Sequence, residues 1–124
     1  MNRRLRKRID SFKYAFAGIA DLFKTQPNAW IHLIAAILAI SLGCFFSIST
    51  TEWCFLVFAI SLVISAEAFN TALEHITDLV SPDYHELAGR TKDVAAAGVL
   101  IIAMGTVAIA CFIFLPKIMA YFQI

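Results

Sequence analysis

Trp53-Cys54-Phe55-Leu56-Val57-Phe58-Ala59-Ile60-Ser61-Leu62-Val63-Ile64-Ser65-Ala66-Glu67-Ala68-Phe69-Asn70-Thr71-Ala72-Leu73 is an apolar run with one carboxylic acid and one carboxamide set into it. About 20 helical residues cross a hydrocarbon core of ~30 Å, so the run is long enough to span a bilayer. Trp53 at its start suits the membrane interface. A carboxylate at that depth costs a few kcal/mol even on mild insertion scales, so Glu67 needs a reason to be there.

Working outward, the chain between Pro27 and Thr51 holds no Asp, Glu, Lys or Arg, which gives an earlier span. The intervening Ser47-Ile48-Ser49-Thr50-Thr51-Glu52 segment reads as a tight connection between antiparallel helices. Val94 to Leu115 is again free of charge, closed by Pro116 and Lys117 and followed by Tyr121 as an interfacial anchor. We therefore expect an all-α membrane protein, one domain over residues 1–124, with spans at 28–47, 53–76 and 93–116.

The composition agrees: 60% of the 124 residues are hydrophobic and 15% charged, more apolar content than a small soluble core can hide. A formal net charge of +1 argues against a basic nucleic-acid-binding surface. The charge is nevertheless polarised, with seven of the ten basic residues in positions 1–24 and seven of the nine acidic residues at or beyond Glu52. Lys/Arg bias orients membrane proteins, so the N-terminus and the Thr77 to Asp93 connection are expected in the cytoplasm. Cys44, Cys54 and Cys111 lie singly in apolar stretches and read as buried free thiols.

In residues 1–24, Leu5, Ile9, Phe12, Phe16, Ile19 and Phe23 recur at steps of four and three, while Arg3, Arg4, Lys7 and Arg8 fall on other faces. This predicts an amphipathic helix on the inner leaflet, where each basic side chain adds ~1 kcal/mol of attraction to anionic headgroups. A coiled-coil seam is the alternative. A signal-peptide reading is weaker, because Asp21 and Lys24 interrupt any apolar core and no small-residue cleavage site follows.

Glu67, Asn70, Thr71, Glu74 and Asp78 share one narrow helical face. At ~1.5 Å per residue from Trp53, Glu67 lies ~21 Å along the helix and Glu74 ~31 Å, so the first is at lipid depth and the second has just emerged into water. Such a stripe suits proton handling, an ion path or catalysis; interhelical hydrogen bonding is the alternative for Asn70 or Thr71 taken alone. At the level of Glu74, the connection adds Asp83, Tyr84, His85, Lys92 and Asp93. Lys92 can neutralise phosphate oxygens, and carboxylates such as Glu74 and Asp93 can hold Mg²⁺. Taken singly, each also has a structural reading: Lys92 snorkelling, Asp93 complementing a helix N-terminus, Asp83 serving a turn. His32 and His75 have no partner at metal-ligand spacing and read as structural. P-loop, Rossmann and zincin motifs have no counterpart in the sequence.

Glu67-Ala68-Phe69-Asn70-Thr71-Ala72-Leu73-Glu74, then Asp78, then Tyr84-His85-Glu86-Leu87-Ala88-Gly89-Arg90-Thr91-Lys92-Asp93 backed by Ala95, Ala96, Ala97 and Gly98, closely resembles the bacterial integral-membrane diacylglycerol kinase and undecaprenol kinase family. The likeness covers essentially the whole chain. It implies a homotrimer in the inner membrane that transfers the γ-phosphoryl group of MgATP to the primary hydroxyl of a lipid. By that resemblance Glu67 matches the general base, Glu74 a Mg²⁺ and nucleotide ligand, and Asn70 a polar neighbour of the base. Lys92 and Asp93 match a nucleotide-contacting pair, Asp83, Tyr84 and His85 the loop bordering adenine and ribose, and Tyr14 a nucleotide-facing tyrosine. Where the family usually has Glu-x-Asn, its Glu a second metal ligand, this chain has Gln26-Pro27-Asn28. An amide oxygen at Gln26 can coordinate Mg²⁺ but brings no negative charge.

The chemistry suits the pattern. Phosphoryl transfer needs positioning and charge neutralisation, and a desolvated base at Glu67 can reach a hydroxyl at headgroup depth while Glu74 faces the aqueous side. Two other readings compete: a small oligomeric ion- or proton-conducting protein, and a family member that has lost catalysis.

Overall fold

The structure, a computed structural model, describes residues 2–123. It is all-helical: α1 (Arg3–Thr25), α2 (Pro27–Phe45), α3 (Thr50–Val80) and α4 (Glu86–Phe122). The last three are long and apolar enough to cross a membrane.

Each helix boundary has a local cause. Asn2 caps α1 by accepting from the Arg4 N–H at 3.2 Å. Gln26 alone separates α1 from α2, and Pro27 at the first position of α2 removes an N–H that would lack a partner there. The α2–α3 turn closes on Ser47, which adopts a positive φ of 49°, and on the Ile48 N–H bonding to the Gly43 carbonyl at 3.1 Å. Ser49 and Glu52 then form a reciprocal capping box: Ser49 Oγ accepts from the Glu52 N–H at 3.3 Å, and Glu52 Oε2 accepts from the Ser49 N–H at 2.7 Å.

The connection expected over Thr77 to Asp93 is much shorter, since α3 continues to Val80 and α4 begins at Glu86. His85 caps α4, its ring Nδ1 accepting from the Leu87 N–H at 3.1 Å, and Glu86 supplies the acid of the first turn. Lys92 and Asp93 therefore lie on a helix. Nor does Pro116 end the last helix: α4 runs through it to Phe122. The proline removes one backbone N–H, a loss that membrane helices tolerate when neighbouring groups compensate.

Packing is dominated by the α3–α4 pair, with α2 against α3 on one side. The apolar centre lies near the α2–α3 turn, where Ile48, Leu56, Ile113 and Phe114 are buried together. Along α2 the buried residues are Ala29, Ala36 and Gly43, one every seven, so small side chains let α3 come close. At Gly43 a β-carbon would lie 2.8 Å from the Trp53 ring and 3.1 Å from Ile48. At the other end of α2, Trp30 ties it to α1: its indole N–H donates to the Phe23 carbonyl at 2.7 Å and its ring meets Phe23 edge-on at 5.4 Å.

Much apolar surface stays uncovered within the single chain. Leu5, Ile9, Phe12, Phe16 and Ile19 on α1 are exposed. The three cysteines are free but exposed, not buried as the sequence suggested. In a lipid solvent an apolar side chain has no need to turn inward, so hydrophobicity alone does not predict burial.

Candidate functional site

Glu67, Asn70 and Thr71 are the buried polar residues of the chain's described core, and Glu67 is 2% exposed. The seven-residue step places Glu74 two turns further on, half-buried, while Asp78 reaches the surface. Thr71 uses its hydroxyl within its own helix, donating to the Glu67 carbonyl at 2.8 Å. That bond leaves the acid's side chain for other work.

The side chains of Gln26, Asn28, His32, Glu67, Asn70 and Glu74 converge on a cavity of about 290 Å³, closed on the far side by Ala96, Val99, Leu100 and Ala103 of α4. Both oxygens of Glu74 are held by amides: Asn70 Nδ2 donates to Oε1 at 3.0 Å, and Gln26 Nε2 donates to Oε2 at 3.0 Å. Two other oxygens are not satisfied. Among the described residues Glu67 Oε1 and Asn70 Oδ1 are buried without a hydrogen-bond partner. A buried acceptor left unpaired costs about 1–3 kcal/mol, and more when ionised, so two in one cavity mark a place built for something else to occupy.

A second cavity, of about 230 Å³, lies beyond Glu74 where α3 meets α4. It is lined by Asp78, Asp83, Tyr84, His85, Gly89 and Lys92, among others. Lys92 is engaged there in an ion pair with Asp78, both partly exposed. Asp83, Tyr84, His85 and Lys92, named from the sequence, are thus brought together. Asp93 lines neither cavity; it is exposed one turn before Ala96 on the α4 face that closes the acid cavity. It is therefore not paired with Glu74 there. Tyr14 is 72% exposed on α1 and touches neither cavity.

His32, read from the sequence as structural, and Asn28, noted there only as the end of Gln26-Pro27-Asn28, both line the acid cavity. The four-residue step between them puts both on one face of α2 below Gln26, a spacing visible in the sequence.

Mg²⁺ takes oxygen ligands. The cavity offers carboxylate oxygens from Glu67 and Glu74 and amide oxygens from Asn70 and Gln26, two of the four donors being buried and unpaired. This donor set fits such a cation. Among the described residues no three His, Cys, Asp or Glu side chains gather as a metal cluster, so amide oxygens would have to complete the set.

Fold and site together define a helical membrane protein with an oxygen-lined acid cavity sunk between its spans. The chain belongs to the prokaryotic diacylglycerol kinase family, whose model matches residues 13–114. It is 36% identical over 108 residues to the undecaprenol kinase of Bacillus subtilis (strain 168), covering 87% of this chain and 88% of that protein. It is 36% identical over 111 residues to a diacylglycerol kinase of Synechocystis, covering 89% of this chain and 63% of the relative. With the Escherichia coli K12 diacylglycerol kinase it shares 32% identity over 88 residues, 71% of this chain and 72% of that one.

Proposed function

We propose that this chain is a lipid kinase that transfers the γ-phosphoryl group of ATP to the primary hydroxyl of a membrane lipid, diacylglycerol or undecaprenol. Family membership supports the reaction class and ATP as donor. The observation that carries the site is the pair of buried, unpartnered oxygens on Glu67 and Asn70 beside Glu74. An ion path would need polar groups continuing toward the other end of the helices, whereas the buried residues on the Trp53 side of Glu67 are Leu56, Ala59 and Val63.

In this reading Glu67 accepts the proton of the lipid hydroxyl as its oxygen attacks the γ-phosphorus and the bond to the β-phosphate oxygen breaks, releasing ADP. Glu74 and Gln26 would hold Mg²⁺, with Asn70 between base and metal. Bound Mg²⁺ would draw charge from the phosphate oxygens and orient them. Lys92, released from Asp78, would meet phosphate together with Asp93, while Asp83, Tyr84 and His85 border the nucleoside. Tyr14 would join them if α1 folds over the site. The two cavities lie along one helix, about 6 Å of rise separating Glu74 from Asp78, so a lipid hydroxyl and a water-soluble triphosphate can meet without either leaving its phase.

We read the chain as one membrane-embedded domain of the bacterial inner membrane with its N-terminus cytoplasmic, α1 lying on the inner leaflet, and copies associating as a homotrimer. The uncovered apolar face of α1 and the exposed small residues Ala97 and Gly98 of α4 support surface docking and close helix approach between copies. The test is purified protein in mixed micelles with radiolabelled ATP, Mg²⁺ and either diacylglycerol or undecaprenol. Label is expected in one of the two lipids. Label in neither, from correctly folded protein, overturns the proposal.

A further inference from the structure

Gln26 occupies an unusual position for its type. It is the single residue between α1 and α2 and the N-cap of α2. That place favours short side chains that fold back onto the first-turn N–H groups. Gln26 makes no such bond. Its longer side chain reaches across 48 positions of sequence to donate from Nε2 to Glu74 Oε2 at 3.0 Å. Asn70 holds the other oxygen of the same carboxylate at 3.0 Å. Two neutral amides, one from the hinge between helices and one from α3, thus fix Glu74 at the wall of the acid cavity.

We infer that Gln26 is a positioning residue, a neutral clamp that assembles Glu74 and the α1–α2 hinge over the acid cavity before any cation arrives. The inference rests on the reading of Glu74 as a site residue. A carboxamide attracts the Glu74 carboxylate by a charge-assisted hydrogen bond; a carboxylate of the same shape would repel it unless a cation stood between them. The neutral amide therefore makes assembly of this site independent of divalent metal. Because the clamp residue is also the hinge, the setting of α1 relative to α2 depends on the same bond.

The full-length protein in detergent micelles, without nucleotide or lipid, gives the test through thermal unfolding and amide hydrogen exchange across residues 22–30, in EDTA and in Mg²⁺. The wild type is expected to keep the hinge protected in EDTA. Gln26→Glu should unfold about 5 °C lower in EDTA, with faster hinge exchange, and Mg²⁺ should restore both. Gln26→Ala, which lacks both donor and charge, should exchange faster in either condition. A Gln26→Glu protein as stable and protected in EDTA as the wild type would overturn the clamp. Loosening that Mg²⁺ leaves unrepaired would overturn the idea that a cation takes the clamp's place. Lipid phosphorylation is read separately: absence of label with Mg²⁺-reversible loosening would sink the kinase reading and leave the clamp standing.

Discussion

At the scale of single residues, the site is defined by what Glu67 lacks. Its Oε1 is buried and unpaired while every oxygen of Glu74 is occupied. If Glu67 is the base, Glu67→Gln should lower lipid phosphorylation by about 10²- to 10⁴-fold with the fold intact, read by turnover and circular dichroism. Glu67→Leu should also abolish turnover, yet raise the thermal midpoint, since it removes a buried acceptor without a partner. A fall in both would assign the acid to the packing. The glutamates were legible in the sequence because helical spacing alone aligns them. The hold of Gln26 on Glu74 was not, because a contact between the α1–α2 hinge and α3 depends on how those helices lie.

At the scale of elements, the turns and helix ends are set locally. The Ser49/Glu52 box starts α3, and the same Glu52 binds Lys117 of α4 at 2.7 Å, so one side chain caps a helix and ties the next to it. Lys117→Met breaks that tie; water reaches both partners, so denaturation in micelles is expected to show only a small loss of stability. Gly43→Ala should cost more, about 1–3 kcal/mol, because the new methyl group meets the Trp53 ring and Ile48. The tight connection over Ser47 to Glu52 was legible in the sequence as a short polar break between two apolar runs. The continuation of α4 through Pro116 was not, since a proline inside an apolar stretch signals an end by local rules.

For the whole molecule, the arrangement follows from having lipid as the solvent. Many apolar side chains and the three cysteines face outward, while the interior holds the small residues of α2, the Ile48, Leu56, Ile113 and Phe114 cluster, and the acid cavity. With Lys/Arg concentrated in residues 1–24 and an odd number of spans, a C-terminal phosphatase fusion should report from outside the cytoplasm and an N-terminal fluorescent fusion from inside. The opposite pattern would reverse the proposed topology and put the acid cavity out of reach of cellular ATP.

The sequence by itself determined the number and order of the long apolar helices, the alignment of Glu67, Asn70 and Glu74, and membership in the family. These depend on hydrophobic run length, helical period and motif, all of which are properties of near neighbours along the chain. Tertiary structure decided that Gln26 and His32 join those acids in one cavity, that Asp93 stays outside it, and that Lys92 is engaged by Asp78. Each of these requires side chains from separate helices to meet, and helix–helix contact in lipid is settled by close packing of small residues and by hydrogen bonds, with no hydrophobic pattern to announce it.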